Sequence, residues 1–192
     1  MTDKQILIYD EMSKKIIDAT LELVTELGHQ KVTVRSILRK LHITNRVFYN
    51  RFHNVEEVFN ILYEQTLMKI RECVSCRIDP EKDFFEQITD MVAETLNISY
   101  DHKKRFNNYF FQSDSLSKEN FVWWQNEIKR LIEYAYEKGL IIEVDASGMS
   151  YAIWCFCRGY NADAVSRDLP KDEAIKNFKY CFGFLLDGIR KR

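Results

Sequence analysis

Proline and glycine are scarce in this chain, two and six among 192 residues, so little in its composition interrupts long helices. No segment alternates polar and apolar residues with the period of two that a half-buried strand needs. No apolar run approaches the roughly 20 residues required to cross a bilayer as a helix. The short apolar stretch from Ile6 to Tyr9 is broken at once by Asp10 and Glu11, and it does not read as a signal peptide. Catalytic patterns are missing as well. There is no Ser/His/acid set, no paired-carboxylate motif and no phosphate loop, and His29, His42, His53 and His102 have no metal-ligand spacing. The expectation is a protein that is not an enzyme and carries no cofactor and no metal.

Cysteine is present, but not as a disulfide framework. Cys73, Cys76, Cys155, Cys157 and Cys181 are odd in number and read as free thiols in a reducing, cytoplasmic compartment. Cys73-Val74-Ser75-Cys76 is a lone CxxC. On a helix its two sulfurs would share a face, yet a structural zinc site needs two further ligands. A thiol-based redox or metal-responsive regulator therefore stays open as an alternative.

What is there is helical periodicity throughout. A hydrophobic share of 46% and an aromatic share of 14% argue for a folded chain. Ile16, Ala19, Leu23 and Leu27 form one stripe, and Gly28 marks its stop. A short helix follows from Val34 to about Leu41 with Thr33 placed to cap it. After a break at His42-Ile43 comes another, from about Thr44 to Arg51. Asn54 caps a longer one to about Cys76, with Glu57 where a capping box wants an acid. Asp79-Pro80 is the clearest boundary. Helices are then expected at about 82–100, 103–113 and 118–138, the last stopped by Gly139, followed by one from Asp145 to about Arg167 and one from Pro170 to about Ile189. The fold class is all-α. The expected domains are 1–54, three short helices with a helix-turn-helix, and 55–192, a larger helical domain entered through a connector helix at about 54–76.

Charge of one sign is also missing locally. Between Glu26 and Glu56 there is no carboxylate, while Lys31, Arg35, Arg39, Lys40, Arg46 and Arg51 all lie there. Neutralising phosphates with Lys and Arg is the main sequence-independent source of DNA affinity. On charge alone, an ordinary solvated face explains the run equally well. Geometry favours the first reading. Phe48 and Phe52 are four apart and face inward with Ile43, so Arg46 and Asn50 point outward, Val47 and Tyr49 flank them, and Asn45 sits at the exposed start. An arginine suits guanine, amides suit adenine, and an apolar side chain suits the thymine methyl. The tyrosine hydroxyl can bond a phosphate.

Thr33-Val34-Arg35-Ser36-Ile37, Ile43-Thr44, Phe48-Tyr49, Phe52 and Glu56-Glu57-Val58, at this order and spacing, resemble the signature of the TetR family of bacterial transcriptional regulators. Ile16-Ile17-Asp18-Ala19-Thr20-Leu21-Glu22-Leu23 to Gly28 is similar to that family's first helix, and the likeness covers roughly residues 12–63. It implies that Thr33, Arg35, Asn45, Arg46, Tyr49 and Asn50 touch DNA, with Thr44 and Val47 in the same helix. His42 stands where the family usually has glycine, Leu38 where it has a small residue, and Arg46 where glycine is frequent. Val55 stands where a phosphate-binding lysine is common, and Arg51 or His53 can compensate. A chain that has lost DNA binding and persists as a helical interaction protein is the other reading these departures leave.

The resemblance further implies a homodimer on double-stranded operator DNA, joined by a four-helix bundle of the last two helices, and a small-molecule effector that releases a repressor. In the last helix Phe178, Phe182, Leu185, Leu186 and Ile189 make one apolar face, and Phe156 and Tyr160 belong to the matching face of the helix before it. These are the residues expected at the dimer interface, with Tyr180, Cys181 and Phe184 as a second apolar face. The middle of the chain is rich in aromatics. Phe106, Tyr109, Phe110, Trp123, Trp124 and Trp154 are the expected lining for an apolar or aromatic effector, with Asn107, Gln112 or Gln125 supplying polarity. A bound effector is expected to shift the connector helix and so change the spacing of the two recognition helices.

Overall fold

The computed structural model describes residues 7–106 and 117–192, with side chains placed for all of these except 102–106. Among the described residues it is helical. The helices are α1 (Glu11–Leu27), α2 (Val34–Leu41), α3 (Asn45–Tyr49), α4 (Val55–Val74), α5 (Phe84–Phe106), α6 (Lys118–Glu137), α7 (Ala146–Ser166) and α8 (Lys171–Asp187). The chain divides into two compact units, the main division falling between Met68 and Lys69, within α4, with the end of α5 from Arg105 grouped with the first unit.

Short polar residues set the helix starts. Asp10 precedes α1, and its carboxylate accepts from the backbone amides of Met12 and Ser13 while the Ser13 hydroxyl accepts from the Asp10 amide. Thr33 and Ser36 form the same reciprocal box at α2. At α4, Asn54 accepts from the amide of Glu57, and the Glu57 carboxylate reaches back to the amide of His53. Each box satisfies amides that the first helical turn leaves without partners. The stops are equally local. Gly28 and Gly139 both take positive φ, at 79° and 69°, a region open to glycine at no steric cost.

The first unit packs around Ile16, Ile17, Leu23, Val24, Ile37, Phe48 and Phe52, all buried. Leu27, the last member of the expected α1 stripe, is 43% exposed and is the final residue of the helix. Between α2 and α3 the turn is closed by His42, at φ 53° and ψ 40°. Where the resembled family usually has glycine, the backbone is left-handed and carries a side chain.

The second unit has a core of Val74, Phe84, Phe85, Ile88, Leu96, Leu131, Ile132, Ile153, Phe178, Phe182 and Leu186. Phe178 and Phe182 stack at 5.3 Å, and Phe156 lies 5.7 Å from Phe178. α6 packs along α7, where Ser150 Oγ donates to Gln125 Oε1 over 2.8 Å. The Gln125 side chain proposed for effector contact is thus bonded to α7. A single antiparallel bridge, Ile141 with Arg190, ties the end of the chain to the loop after α6.

The helix ends differ from expectation at α5 and at the end of α4. α5 runs without a break through 100–106 where two helices were expected, since nothing between Phe84 and Phe106 is glycine or proline. The remainder of the expected 103–113 helix lies outside the described residues. α4 ends at Val74, so Cys76 lies past the helix and does not share a helical face with Cys73.

A left-handed non-glycine residue costs roughly 1–2 kcal/mol. His42→Gly is therefore expected to raise the stability of the first unit by about 1 kcal/mol in urea unfolding. Phe178→Ala in the second is expected to cost about 3–5 kcal/mol. A neutral Phe178→Ala would contradict the packing described.

Candidate nucleic-acid interface

α3 is a five-residue helix whose inner side is fixed by two rings. Phe48 is fully buried and Phe52 is 1% exposed, with ring centroids 5.8 Å apart. Amide bonds from Asn50 to Arg46 and from Phe52 to Phe48 carry the helical course one turn beyond Tyr49. Thr44 opens the helix in an extended conformation, with no side-chain cap bond of its own. With Phe48 turned in, Asn45, Arg46 and Tyr49 are exposed, and Val47 and Asn50 are half-buried beside them. Thr33 and Arg35, at the start of α2, are exposed too.

The six cations of the acid-free segment divide into two groups. Lys40 is held by Glu22 and Glu26 of α1, at 2.9 and 3.2 Å, and these two carboxylates raise its pKa. Arg51 is held by Asp10: Nε donates to Oδ1 over 2.8 Å and Nη2 to Oδ2 over 2.5 Å, while Nη1 donates to the Val47 carbonyl. Its side chain is only 13% exposed. Arg51 was expected to face phosphate, and its guanidinium is instead engaged inside the chain. Lys31, Arg35, Arg39 and Arg46 make no ion pair among the described residues, and Lys31, Arg35, Arg39 and Arg46 are all exposed. His53 is exposed and sits 3.1 Å from the Glu57 carboxylate.

The Asp10–Arg51 clamp is the feature that residue-by-residue reading missed. It fastens the residue that caps α1 to the turn that follows α3. A second strap lies beside it, where the Ile8 amide donates to the Asn50 carbonyl over 2.9 Å. The Arg51 guanidinium, foremost, holds the Asp10 carboxyl well below the usual carboxylate range, with help from Ser13. In sequence the signal for the cap was present, Asp10 three residues before Ser13. Nothing in sequence spacing announces a partner 41 positions away.

The expected effector and dimer residues are less gathered. Phe106 lies at the end of α5 with its side chain outside the described set, and Tyr109 and Phe110 are outside the described residues. Trp123 and Trp124 meet edge to face at 5.0 Å on α6. Trp154 packs elsewhere, against Phe121 at 5.1 Å and the exposed Tyr151 at 6.3 Å. Of the seven residues expected at the dimer interface, Phe178, Phe182, Leu186 and Ile189 are buried in the chain's own core, and Phe156, Tyr160 and Leu185 pack against it. The apolar row left outside is the other one. Tyr180 and Phe184 are 68% and 63% exposed, 5.0 Å apart, with Cys181 exposed between them. α7 contributes exposed Tyr151, Cys155 and Gly159.

Two of the five thiols, Cys73 and Cys157, are poorly placed for reactivity, while Cys76, Cys155 and Cys181 are exposed. Burial, and then the charge of Glu94, push the Cys73 thiol up, and burial pushes Cys157 up to about 12. Both shifts disfavour the thiolate, which is the nucleophilic form. Among the described residues no group of three His, Cys, Asp or Glu could hold a metal ion, and no helix is long and apolar enough to cross a membrane.

This arrangement of helices is the fold of the TetR-family transcriptional regulators. A regulator of that family from Pectobacterium atrosepticum superposes with a TM-score of 0.74 at 13% identity, over 95% of each chain. One from Marinobacter aquaeolei superposes at 0.72 with 18% identity, over 95% of this chain and 92% of the other. A TetR/AcrR-family regulator of Thermobifida fusca gives 0.67 at 18% identity, over 95% and 100%. In sequence the chain is similar to YvdT, an uncharacterized HTH-type transcriptional regulator of Bacillus subtilis (strain 168), with 24% identity over 90 residues. That match spans 47% of this chain and 46% of the relative. No family model matches the chain.

Because the folded Asp10 carboxyl lies below its ordinary value of 3.8, the clamp's contribution is complete at neutral pH. It is lost as the pH falls below about 4 and the carboxyl protonates. Asp10→Asn is therefore expected to lower the melting temperature at pH 7 and to flatten the loss of stability between pH 5 and 3. Circular dichroism melts across that range provide the check. Parallel wild-type and variant profiles would show that the clamp contributes nothing.

Proposed function

We propose that this chain is a sequence-specific DNA-binding transcriptional regulator, acting as a repressor that a small-molecule effector releases. The observation that carries the reading is the outward face of α3. Asn45, Arg46 and Tyr49 are exposed over a completely buried Phe48, with Arg35 and Arg39 on α2 left without ion pairs among the described residues. Arg46 and Asn45 are the base-reading candidates in the major groove. Tyr49, Thr33, Thr44 and Arg35 are the phosphate and flanking contacts, Val47 the apolar one, and Asn50 and His53 lie at the edge. Residues 1–54 form the DNA-binding domain and 55–192 the effector-binding and dimerisation domain.

One short recognition helix supplies too little affinity alone, so such proteins pair on a two-fold site. The Tyr180–Phe184 row of α8 and the Tyr151–Cys155–Gly159 row of α7 are the surface on which we place the second copy. Large exposed aromatics in one row favour burial against a partner.

Fluorescence anisotropy on duplexes enriched from a random pool tests the DNA reading. Affinity should fall with the logarithm of salt, with a slope of about −0.9 for each phosphate neutralised. Arg46→Ala should cost about 1–3 kcal/mol, and Arg46→Ala with Tyr49→Ala should abolish discrimination against scrambled duplex. Equal binding by wild type and double variant would refute the assignment of α3. For the dimer, Tyr180→Glu with Phe184→Glu should convert the sedimenting species to monomer while helix content is kept. An unchanged dimer would move the interface elsewhere.

A further inference from the structure

The second unit holds a half-buried guanidinium, that of Arg71, for which the chain provides no counter-charge among the described residues. Arg71, near the end of α4, is half-buried, and its Nε is enclosed without a hydrogen-bond partner. The guanidinium lies over the ring of Trp123, 4.9 Å from its centroid. One terminal nitrogen makes a long 3.5 Å bond to Oδ1 of Asn120, which is buried on α6. Arg130, Arg167 and Arg190 of the same unit each have a carboxylate within 3.5 Å. Arg71 has none.

An arginine cannot shed its proton to relieve this. The face of Trp123 attracts the charge but accepts little of its hydrogen bonding, and Asn120 offers one neutral acceptor. Among the described residues this planar fork is met by one long bond, and its enclosed Nε by none. An enclosed donor of a charged group that is left without a partner carries an uncompensated desolvation cost. A carboxylate has the complementary planar shape and takes two parallel bonds from such a fork. One guanidinium also matches one negative charge, whereas a dianionic phosphate calls for more than a single arginine beside two indoles.

Asn161 provides a useful contrast. The Ser99 hydroxyl donates to the Leu96 carbonyl and accepts from Asn161 Nδ2, leaving Asn161 Oδ1 buried and unpartnered. That atom is neutral, and a single water completes it as well as any ligand, so it identifies no chemical class. Water cannot neutralise Arg71.

We propose that the effector is an organic acid whose carboxylate pairs with Arg71 and whose apolar or aromatic body lies along Trp123 and Trp124. This rests on the effector-responsive reading above and adds the chemical class. It also puts the ligand's charge on α4, the helix in which the two units divide.

The test uses the full-length chain without DNA, by calorimetry and tryptophan emission. The probes are 2-naphthoate and decanoate, each beside its neutral amide. At least one acid should bind saturably, with its amide weaker by about tenfold or more. Arg71→Gln should lose a similar factor, and Arg71→Lys, which keeps the charge without the fork, should fall between. Trp123→Phe should remove most of the emission change. Amides binding as tightly as acids, an unaffected Arg71→Gln, or no binding of either acid would overturn the proposal. If Arg71→Gln does not fold, as judged by helix content, Arg71→Lys and the acid–amide ratio decide. DNA binding measured separately keeps the two readings apart. A chain that binds DNA but neither acid loses only this inference, and one that binds an acid but no DNA loses only the regulator reading.

Discussion

Everything proposed for the DNA surface depends on holding a five-residue helix in one orientation. Isolated helices shorter than about 12–15 residues are marginal in water, so α3 has no stability of its own to contribute. Its geometry is imposed from below by Phe48 and Phe52 and from the side by the Asp10–Arg51 pair. Rotating α3 to present a different face would expose two phenyl rings, each worth about 1.5–3 kcal/mol of burial. The outward set of Asn45, Arg46 and Tyr49 is a consequence of that inward pair. The left-handed His42 completes the arrangement by letting α2 end and α3 begin within three residues.

Much of this was legible from local chemistry. Caps and stops are short-range, so Thr33, Asn54, Asp145, Gly28 and Gly139 could be placed from their neighbours alone, and the i, i+4 spacing of Phe48 and Phe52 gave the inner face of α3. Arg51 was misread because its partner is remote. A cation in a basic segment looks available until the fold brings a carboxylate to it. The same limit applies to Lys40, which α1 claims through Glu22 and Glu26.

The C-terminal helices show a different limit. α8 is apolar on two sides, and periodicity establishes that both need cover without saying which side meets the chain's own core. The side with Phe178, Phe182 and Leu186 fills that core, so the side with Tyr180 and Phe184 is left exposed. Both rows follow the same spacing, and only three-dimensional packing separates them. Arg71 was invisible for a related reason, since an unpaired charge is defined by what fails to come near it. The two units therefore carry distinct kinds of incompleteness: exposed cations on and beside a fixed helix in one, and in the other a half-buried cation without an acid among the described residues.

The most direct measurement of the central claim is an unbiased selection from a random pool of duplexes, sequenced after several rounds at physiological salt. The account predicts enrichment of a two-fold symmetric site, with half-sites about one helical turn apart and base preferences that relax at one position per half-site when Arg46 is replaced by alanine. A pool that stays random, or enriches identically with wild type and Arg46→Ala, would contradict it.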